Sequence, residues 1–147
     1  MKIELRETAF DALQELQQYQ QDTVTREFAG KYGAMVNFIG TMRDFNEGDA
    51  VSAMTLEHYP GMTEKVLTEL CDVSMIHWDL LDILIMHRYG EIKPDDNIVL
   101  IAVWSAHRQD AFSACRFLIE SLKSKAPFWK RETRSSGKRW VDKNTPG

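Results

Sequence analysis

Two apolar segments in the middle of the chain constrain its fold more than any other feature. Residues 80–86 and 98–104 are rich in leucine, isoleucine and valine, and runs of this length and composition predict core strands. Between them, Pro94-Asp95-Asp96-Asn97 is a strong turn signal. The centre of the chain is therefore predicted to contribute two neighbouring strands to a buried sheet.

The rest of the chain alternates between strand and helix patterns. Strands are predicted at 2–6, 33–39 and 51–56, with a polar loop over 40–50, and helices at 10–21, 63–78 and 109–125. A basic, aromatic hairpin is predicted from 128–133 and 138–141. Thr63 is expected to cap the second helix, and Pro127 to end the third. The sequence predicts that these side chains form the apolar faces: Val66, Leu67, Leu70, Val73 and His77 in the second helix, and Ala111, Cys115, Leu118 and Leu122 in the third.

This order of elements predicts the fold class. Some strands are hairpin neighbours and others are separated by helices, which is typical of an α+β fold with a largely antiparallel or mixed sheet and packed helices. A chain of 147 residues without repeats or linkers is expected to form a single domain, residues 1–147.

Composition excludes several classes of protein. No apolar run approaches the roughly 18 residues of a membrane span, and residues 1–10 lack the basic and then apolar profile of a secretory signal. A cytoplasmic protein without membrane association is expected. Cys71 and Cys115 form no Cys-x-x-Cys or Cys/His cluster, so we expect two buried thiols, with no metal and no disulfide.

Charge is strongly segregated along the chain. Residues 1–104 carry 8 Lys/Arg against 18 Asp/Glu, whereas residues 105–147 carry 10 against 4. A basic C-terminal third points to an anionic partner, which can be a phosphorylated metabolite, a nucleic acid or an acidic protein surface.

His107 and Arg108 stand where a predicted strand gives way to a helix. Cations there oppose the helix dipole unless an anion occupies the site, although solvated side chains are an equal alternative. Lys123 lies in the last turn of the same helix, where the dipole alone favours a lysine. Lys130 and Arg131 follow two aromatic residues, which either stack on a heterocycle or pack as an ordinary strand.

Five separated motifs, taken together in this order, resemble the large, catalytic subunit of molybdopterin synthase. They are Gly40-Thr41-Met42-Arg43, Leu56-Glu57-His58-Tyr59-Pro60-Gly61-Met62, His87-Arg88-Tyr89-Gly90, Ser105-Ala106-His107-Arg108, and Leu122-Lys123 through Ala126-Pro127-Phe128-Trp129-Lys130-Arg131-Glu132. The resemblance covers roughly residues 33–140. Any one motif is weak, but their shared order makes chance agreement improbable.

The resemblance implies a hammerhead-type α+β fold and a homodimer of large subunits within a heterotetramer. Each large subunit would bind one small ubiquitin-like sulfur-carrier subunit, whose Gly-Gly tail ends in a thiocarboxylate. Two sulfur transfers to a cyclic pyranopterin monophosphate would form the dithiolene of molybdopterin. No cofactor is implied, and the sulfur needs no cysteine of this chain.

The resemblance also implies roles for individual residues. Lys123 would be the catalytic acid or base, with Lys130 supporting it, because neighbouring positive charge lowers the pKa of a lysine. The planar guanidinium group of an arginine can donate two parallel hydrogen bonds to one oxyanion. The implied substrate-binding residues are Thr41, Met42, Arg43, His107, Arg108, Lys123, Lys130, Arg131, Glu132 and Arg139.

Other functions stay open on the sequence alone. The basic, aromatic C-terminal third also fits a module that binds nucleic acid or another anionic ligand, although the acidic remainder argues against nucleic acid. A persulfide carried on Cys71 or Cys115 is a further alternative, but both lie on apolar helical faces, away from cations that would lower a thiol pKa. The last alternative is a subunit that binds other proteins and has no catalytic role.

Overall fold

The computed structural model describes residues 1–46, 48–134 and 137–140. The strands in this part of the chain are β1 (Lys2–Arg6), β2 (Ala34–Thr41), β3 (Phe45–Asn46), β4 (Asp49–His58), β5 (Leu80–Arg88), β6 (Gly90–Ile92), β7 (Asn97–Ser105), β8 (Phe128–Arg134) and β9 (Gly137–Trp140). The helices are α1 (Ala12–Tyr19), α2 (Thr25–Glu27), α3 (Met62–His77) and α4 (Arg108–Lys125), and a π-helical turn (Gln20–Val24) joins α1 to α2. None of these helices is long and apolar enough to cross a bilayer.

The strands form two sheets. The first has the order β1-β5-β7-β2, in which β1 is parallel to β5 and the other pairs are antiparallel. The second has the order β3-β4-β8-β9, with β6 also paired to β4, and every pair in it is antiparallel. The predicted α+β class and mixed sheet are therefore confirmed.

The first sheet is buried on both faces because its two central strands are apolar at almost every position. Alternate residues of β5 and β7, such as Ile85 and Ile101, pack under α3 and α4. Their neighbours, such as Leu84 and Leu100, pack against α1 and the segment after it. A smaller core lies beside the second sheet and contains Met42, Val51, Met54, Leu56 and Ile92. Both predicted central strands are present.

The predicted cap of α3 was wrong. Gly61 occupies the N-cap position with φ of 84°, and its backbone N–H donates to the Glu64 carboxylate at 3.2 and 3.3 Å. Thr63 is already inside the helix and fully buried, where its hydroxyl accepts from Tyr59 N at 3.0 Å and donates to Pro127 O at 3.1 Å. Glycine turns the chain before the threonine is reached, so Thr63 instead ties the start of α3 to the start of β8.

The apolar face predicted for α3 was partly wrong. Leu67 and Leu70 are buried, but Val73 is 46% exposed and His77 is also exposed. The helix buries Cys71 and Ser74 instead, because successive residues turn by about 100° and these two lie nearer the sheet-facing side. In α4 the four predicted residues, Ala111, Cys115, Leu118 and Leu122, are all buried.

Several boundaries also differ from the predictions. The segment 40–50 is not only a loop, since β3 and the start of β4 pair within it. The first helix starts two residues later than predicted and passes into the π-helical turn. Ser135, Ser136 and Val141, which belong to the predicted hairpin, lie outside the described residues.

Candidate functional site

Lys123 and Lys130 are neighbours in the folded chain. Lys123 lies in the last turn of α4, and Lys130 is the third residue of β8. The helix ends at the C-cap residue Ala126 and Pro127 follows, so the chain turns directly into the strand. The two side chains are close enough for the charge of Lys130 to lower the pKa of Lys123. A pair of lysines thus stands where the end of a helix meets the second sheet.

The lysine pair opens onto a cleft between the two sheets. The cleft is lined by Leu56, His87, Ile98, Leu122, Lys123, Ala126, Phe128 and Lys130. Side chains of β8 alternate in direction, so Phe128, Lys130 and the buried Glu132 share one side of the strand, whereas Trp129 and Arg131 are exposed on the other. The walls are mostly apolar and the functional groups are few, which is typical of a small-ligand or peptide-end site.

Burial and mutual repulsion change the acidity of the lysine pair. Burial lowers the pKa of Lys123 to about 8, and the adjacent charge of Lys130 adds to the effect. Burial also lowers the pKa of Lys130, against which the carboxylate of Glu132 acts. With a pKa of about 8, Lys123 is still mostly charged at pH 7 and becomes neutral as the pH rises through 8.

His87 forms the floor of the cleft at the end of β5. Its side chain is buried, its ring stacks on Phe128 with centroids 3.9 Å apart, and its Nδ1 is 2.7 Å from the Arg88 carbonyl oxygen. Burial, together with the charges of Lys123 and Lys130, lowers the pKa of His87 to about 3. The imidazole is therefore neutral at any physiological pH.

One further charged group, Arg43, acts on Lys130. Arg43 is exposed, and its positive charge lowers the pKa of Lys130. Its loop is fixed by backbone bonds of 3.0 Å from Met42 N to Asp96 O and 2.9 Å from Asp95 N to Met42 O. Arg43 therefore lies at the rim of the site on a loop held to the turn before β7.

His107 and Arg108 do not join the lysines within one chain. Both are exposed at the start of α4, and His107 occupies the N-cap position without a side-chain bond to the helix. Arg108 and Lys123 are 15 residues apart in this helix, which corresponds to about 22 Å along its axis. Within a single chain His107 and Arg108 therefore do not converge on the lysines, because a straight helix keeps its two ends apart.

Three other predicted binding residues, Thr41, Met42 and Arg131, are not part of the cleft lining. Thr41 is exposed, whereas Met42 is 5% exposed and packs in the core beside the second sheet. Arg131 points to the outer side of β8, where its guanidinium lies 5.6 Å from the ring centroid of Trp140. In the pairing of β9 with β8, Arg139 lies opposite Glu132. The side chain of Arg139 lies outside what the structure describes.

His87 is a site residue that the sequence analysis does not predict, although it belongs to one of the five motifs. His87 and Arg88 end a long apolar strand. Ionisable residues are seldom buried unless they are paired or functional, so this position could have predicted a site residue.

The two thiols lie in the core under α3 and α4. Burial raises the pKa of Cys71 to about 12 and that of Cys115 to about 11. Both groups therefore stay protonated near neutral pH and are poor nucleophiles. Over residues 1–46, 48–134 and 137–140, no three His, Cys, Asp or Glu side chains stand close enough to hold a metal ion.

Comparison with known protein families gives a match over most of the chain. The family described as "MoaE protein" matches residues 5–125. A molybdopterin synthase catalytic subunit from Pseudomonas aeruginosa is 45% identical over 142 residues, which cover 97% of this chain and 91% of that protein. One from Ralstonia nicotianae is 57% identical over 110 residues, covering 75% of this chain but only 62% of the relative's length.

A solved structure agrees with these sequence matches. The structure of molybdopterin synthase from Staphylococcus aureus superposes with a TM-score of 0.82 at 32% identity, and the match covers 96% of this chain and 98% of that one. The α+β arrangement of two sheets and packed helices is thus shared with proteins of that name.

Proposed function

Because the chain belongs to the MoaE protein family, we propose that it is the catalytic subunit of a molybdopterin synthase and acts in molybdenum cofactor biosynthesis. Its reaction is a sulfur transfer: sulfur leaves a thiocarboxylate at the end of a small ubiquitin-like subunit and is added to a cyclic pyranopterin monophosphate. The half-buried pair of Lys123 and Lys130, which line one cleft and both have a lowered pKa, is the observation that carries this proposal.

The cleft supports the proposed sulfur donor. A Gly-Gly tail has no side chains, so it fits a narrow passage with apolar walls such as Leu56, Ile98 and Phe128. Its terminal thiocarboxylate is an anion, and Lys130 lines that passage. Charge-assisted contacts of this kind are stronger where water is excluded.

Lys123 is proposed as the acid and base of the reaction. With a pKa of about 8, it exchanges protons near neutral pH, which is what a general acid–base catalyst requires. The charge of Lys130 contributes to this low pKa by repulsion, and we assign Lys130 to holding the anionic end of the tail. Arg43 and Glu132 flank Lys130, and we assign them to binding and orienting the pterin substrate.

His107 and Arg108 are proposed to act in a second copy of the chain. They are exposed at the far end of α4, so they reach a lysine pair only if another protomer supplies that pair. A homodimer carrying two small subunits, as the resemblance implies, provides this arrangement. We propose a binding role at the edge of such an interface for Thr41, Met42, Arg131 and Arg139.

The test is reconstitution of the reaction. This chain is mixed with a thiocarboxylated ubiquitin-like partner and the pterin precursor, and mass spectrometry follows a product that carries two added sulfur atoms. Lys123→Ala should abolish the product, whereas Lys125→Ala, an exposed lysine of the same helical turn, should retain it. Full product formation by Lys123→Ala would reject the catalytic assignment.

The nucleic-acid alternative is less favoured by the site. Lys123 and Lys130 are drawn into a half-buried cleft, whereas a nucleic-acid groove displays its cations along an exposed track. Association with a nucleic acid that weakens steeply with salt, without any sulfur transfer in the reconstituted mixture, would favour that alternative. We further propose that residues 1–147 form one domain acting in the cytoplasm.

A further inference from the structure

The turn between β7 and α4 contains a buried serine hydroxyl that has no role in the proposed reaction. Ser105 is the last residue of β7, lies between β2 and β5, and is fully buried. The residues before it in this strand, 99–104, are all apolar. A buried hydroxyl must find hydrogen-bond partners or weaken the fold. Since His107 and Arg108 follow within three residues, the partners of Ser105 bear on both of them.

The hydrogen bonds of Ser105 fix the direction of its hydroxyl. Its Oγ lies 2.7 Å from the carbonyl oxygen of Asp79 and 3.2 Å from the backbone nitrogen of His107. A carbonyl only accepts and a backbone N–H only donates, so the hydroxyl donates to Asp79 and accepts from His107. The second bond reaches two residues along the chain, which is the pattern of a serine turn. Ser105 thereby ties the backbone of His107 to the residue that precedes β5.

A close approach by Gly33 holds the same turn from a second side. The backbone N–H of Gly33 donates to the carbonyl oxygen of Ser105 at 3.0 Å. A Cβ atom at position 33 would collide with the carbonyl oxygen of Ala106, so only glycine lets the two backbones lie this close. The turn is therefore packed against the start of β2 as well as bonded to the start of β5.

The side chain of His107 does not hold the start of the helix itself. His107 occupies the N-cap position of α4 in an extended conformation, with φ of −126° and ψ of 137°, and makes no side-chain bond to the helix. An N-cap residue usually fixes a helix start with its own side chain. Here Ser105 fixes the backbone of His107 from two residues earlier, so the imidazole is not needed as a cap.

We propose that Ser105 and Gly33 are positioning residues, which fix the turn from which His107 and Arg108 contact the substrate. Neither of them touches the substrate. Side chains that project from a fixed backbone lose less conformational freedom on binding than side chains on a loose one. This inference rests on the proposed function for the identity of the substrate, but its measurements need no turnover.

The first measurement is amide hydrogen exchange at His107, read by NMR. Ser105→Ala should make exchange at this amide about fivefold faster, because the N–H loses its acceptor, and should leave the amide of Val103 unchanged. The matched control is Ser74→Ala, which removes another fully buried hydroxyl, one that donates to the Leu70 carbonyl oxygen at 2.9 Å. It should not affect His107. An exchange rate at His107 that is the same with and without Ser105→Ala would overturn the proposal.

The second measurement is the affinity for cyclic pyranopterin monophosphate, read by calorimetry on the complex with a small subunit that lacks the thiocarboxylate. Ser105→Ala should weaken binding about fivefold, whereas Ser74→Ala should leave it unchanged. When His107 and Arg108 are both alanine, Ser105→Ala should have no further effect, because a positioning residue acts only through the residues that it holds. Equal weakening in both backgrounds would mean that Ser105 supports only the fold and would overturn the proposal.

Gly33→Ala tests the second side of the turn and decides the matter if Ser105→Ala does not fold. It should weaken pterin binding by displacing Ala106. The control is Gly30→Ala, at a glycine with φ of 73° where an added Cβ meets no atom within 4 Å; it strains the backbone but should keep the affinity. Unchanged affinity in a folded Gly33→Ala protein would contradict the proposal.

Failure of the proposed function gives a different result. If the unaltered protein neither binds the pterin precursor nor forms a dithiolene, the proposed function fails, and the exchange rates at His107 alone decide whether Ser105 holds the turn. If the dithiolene forms normally but Ser105→Ala changes neither exchange nor affinity, the positioning role fails and the proposed function stands.

Discussion

Replacing Lys130 with methionine should raise the pKa of Lys123 and make the reaction slower at neutral pH. The pKa of Lys123 lies at about 8, against 10.5 for an ordinary lysine, and burial is a larger cause of the lowering than Lys130 is. Loss of Lys130 should therefore restore less than half of this difference, about one unit. At pH 7 one unit reduces the neutral fraction of Lys123 about tenfold.

The assay is the single-turnover rate of sulfur transfer as a function of pH, with the tail of the partner already bound. The rate of Lys130→Met should fall about tenfold at pH 7 and approach that of the unaltered protein above about pH 10, where Lys123 is neutral in both. Lys125→Met removes an exposed charge from the same helical turn and should leave the profile in place. A midpoint that stays constant or moves down in Lys130→Met would refute the reasoning.

Three further outcomes are expected. Lys123→Met should stabilise the fold at pH 7 by up to about 3 kcal/mol, because one pKa unit is worth about 1.4 kcal/mol. Between the folded pKa of about 8 and the unfolded value of 10.5, unfolding makes Lys123 take up a proton. Urea titrations should therefore show this gain shrinking as the pH rises from about 8 towards 10.5. The double variant Cys71→Ser, Cys115→Ser should still transfer sulfur in the reconstituted mixture, and its inactivity with the fold retained would revive a persulfide mechanism. Leu118→Ala should cost about 2–5 kcal/mol in urea unfolding because Leu118 is fully buried under the first sheet, and a loss below 1 kcal/mol would contradict that packing.

Periodicity determined much of the fold directly from the sequence. The two apolar runs became β5 and β7, and the stripe of Leu118 and Leu122 in α4 is buried as predicted. These features are local, because a strand or a helix face depends on spacing within a few residues. The cap of α3 was mispredicted, since Gly61 and Thr63 both fit a helix start and only the path of the chain towards Pro127 distinguishes them.

The family could also be identified from the sequence, because several motifs in a fixed order carry more information than any single residue. The family match over residues 5–125 confirms that resemblance. Motif order says nothing about distance, however. His107 and Arg108 belong to the same set of motifs as Lys123, yet one helix holds them about 22 Å apart.

The sequence by itself determined which residues can carry charge, which strands are buried and which family the chain resembles. Only the tertiary structure decided that Lys123 and Lys130 line one cleft with a neutral His87 and that the pKa of Lys123 is low, because a pKa depends on burial and on neighbours brought from distant parts of the chain. Taken alone, a lysine in the last turn of a helix is ordinary. Its low pKa arises from the strand that folds back beside it.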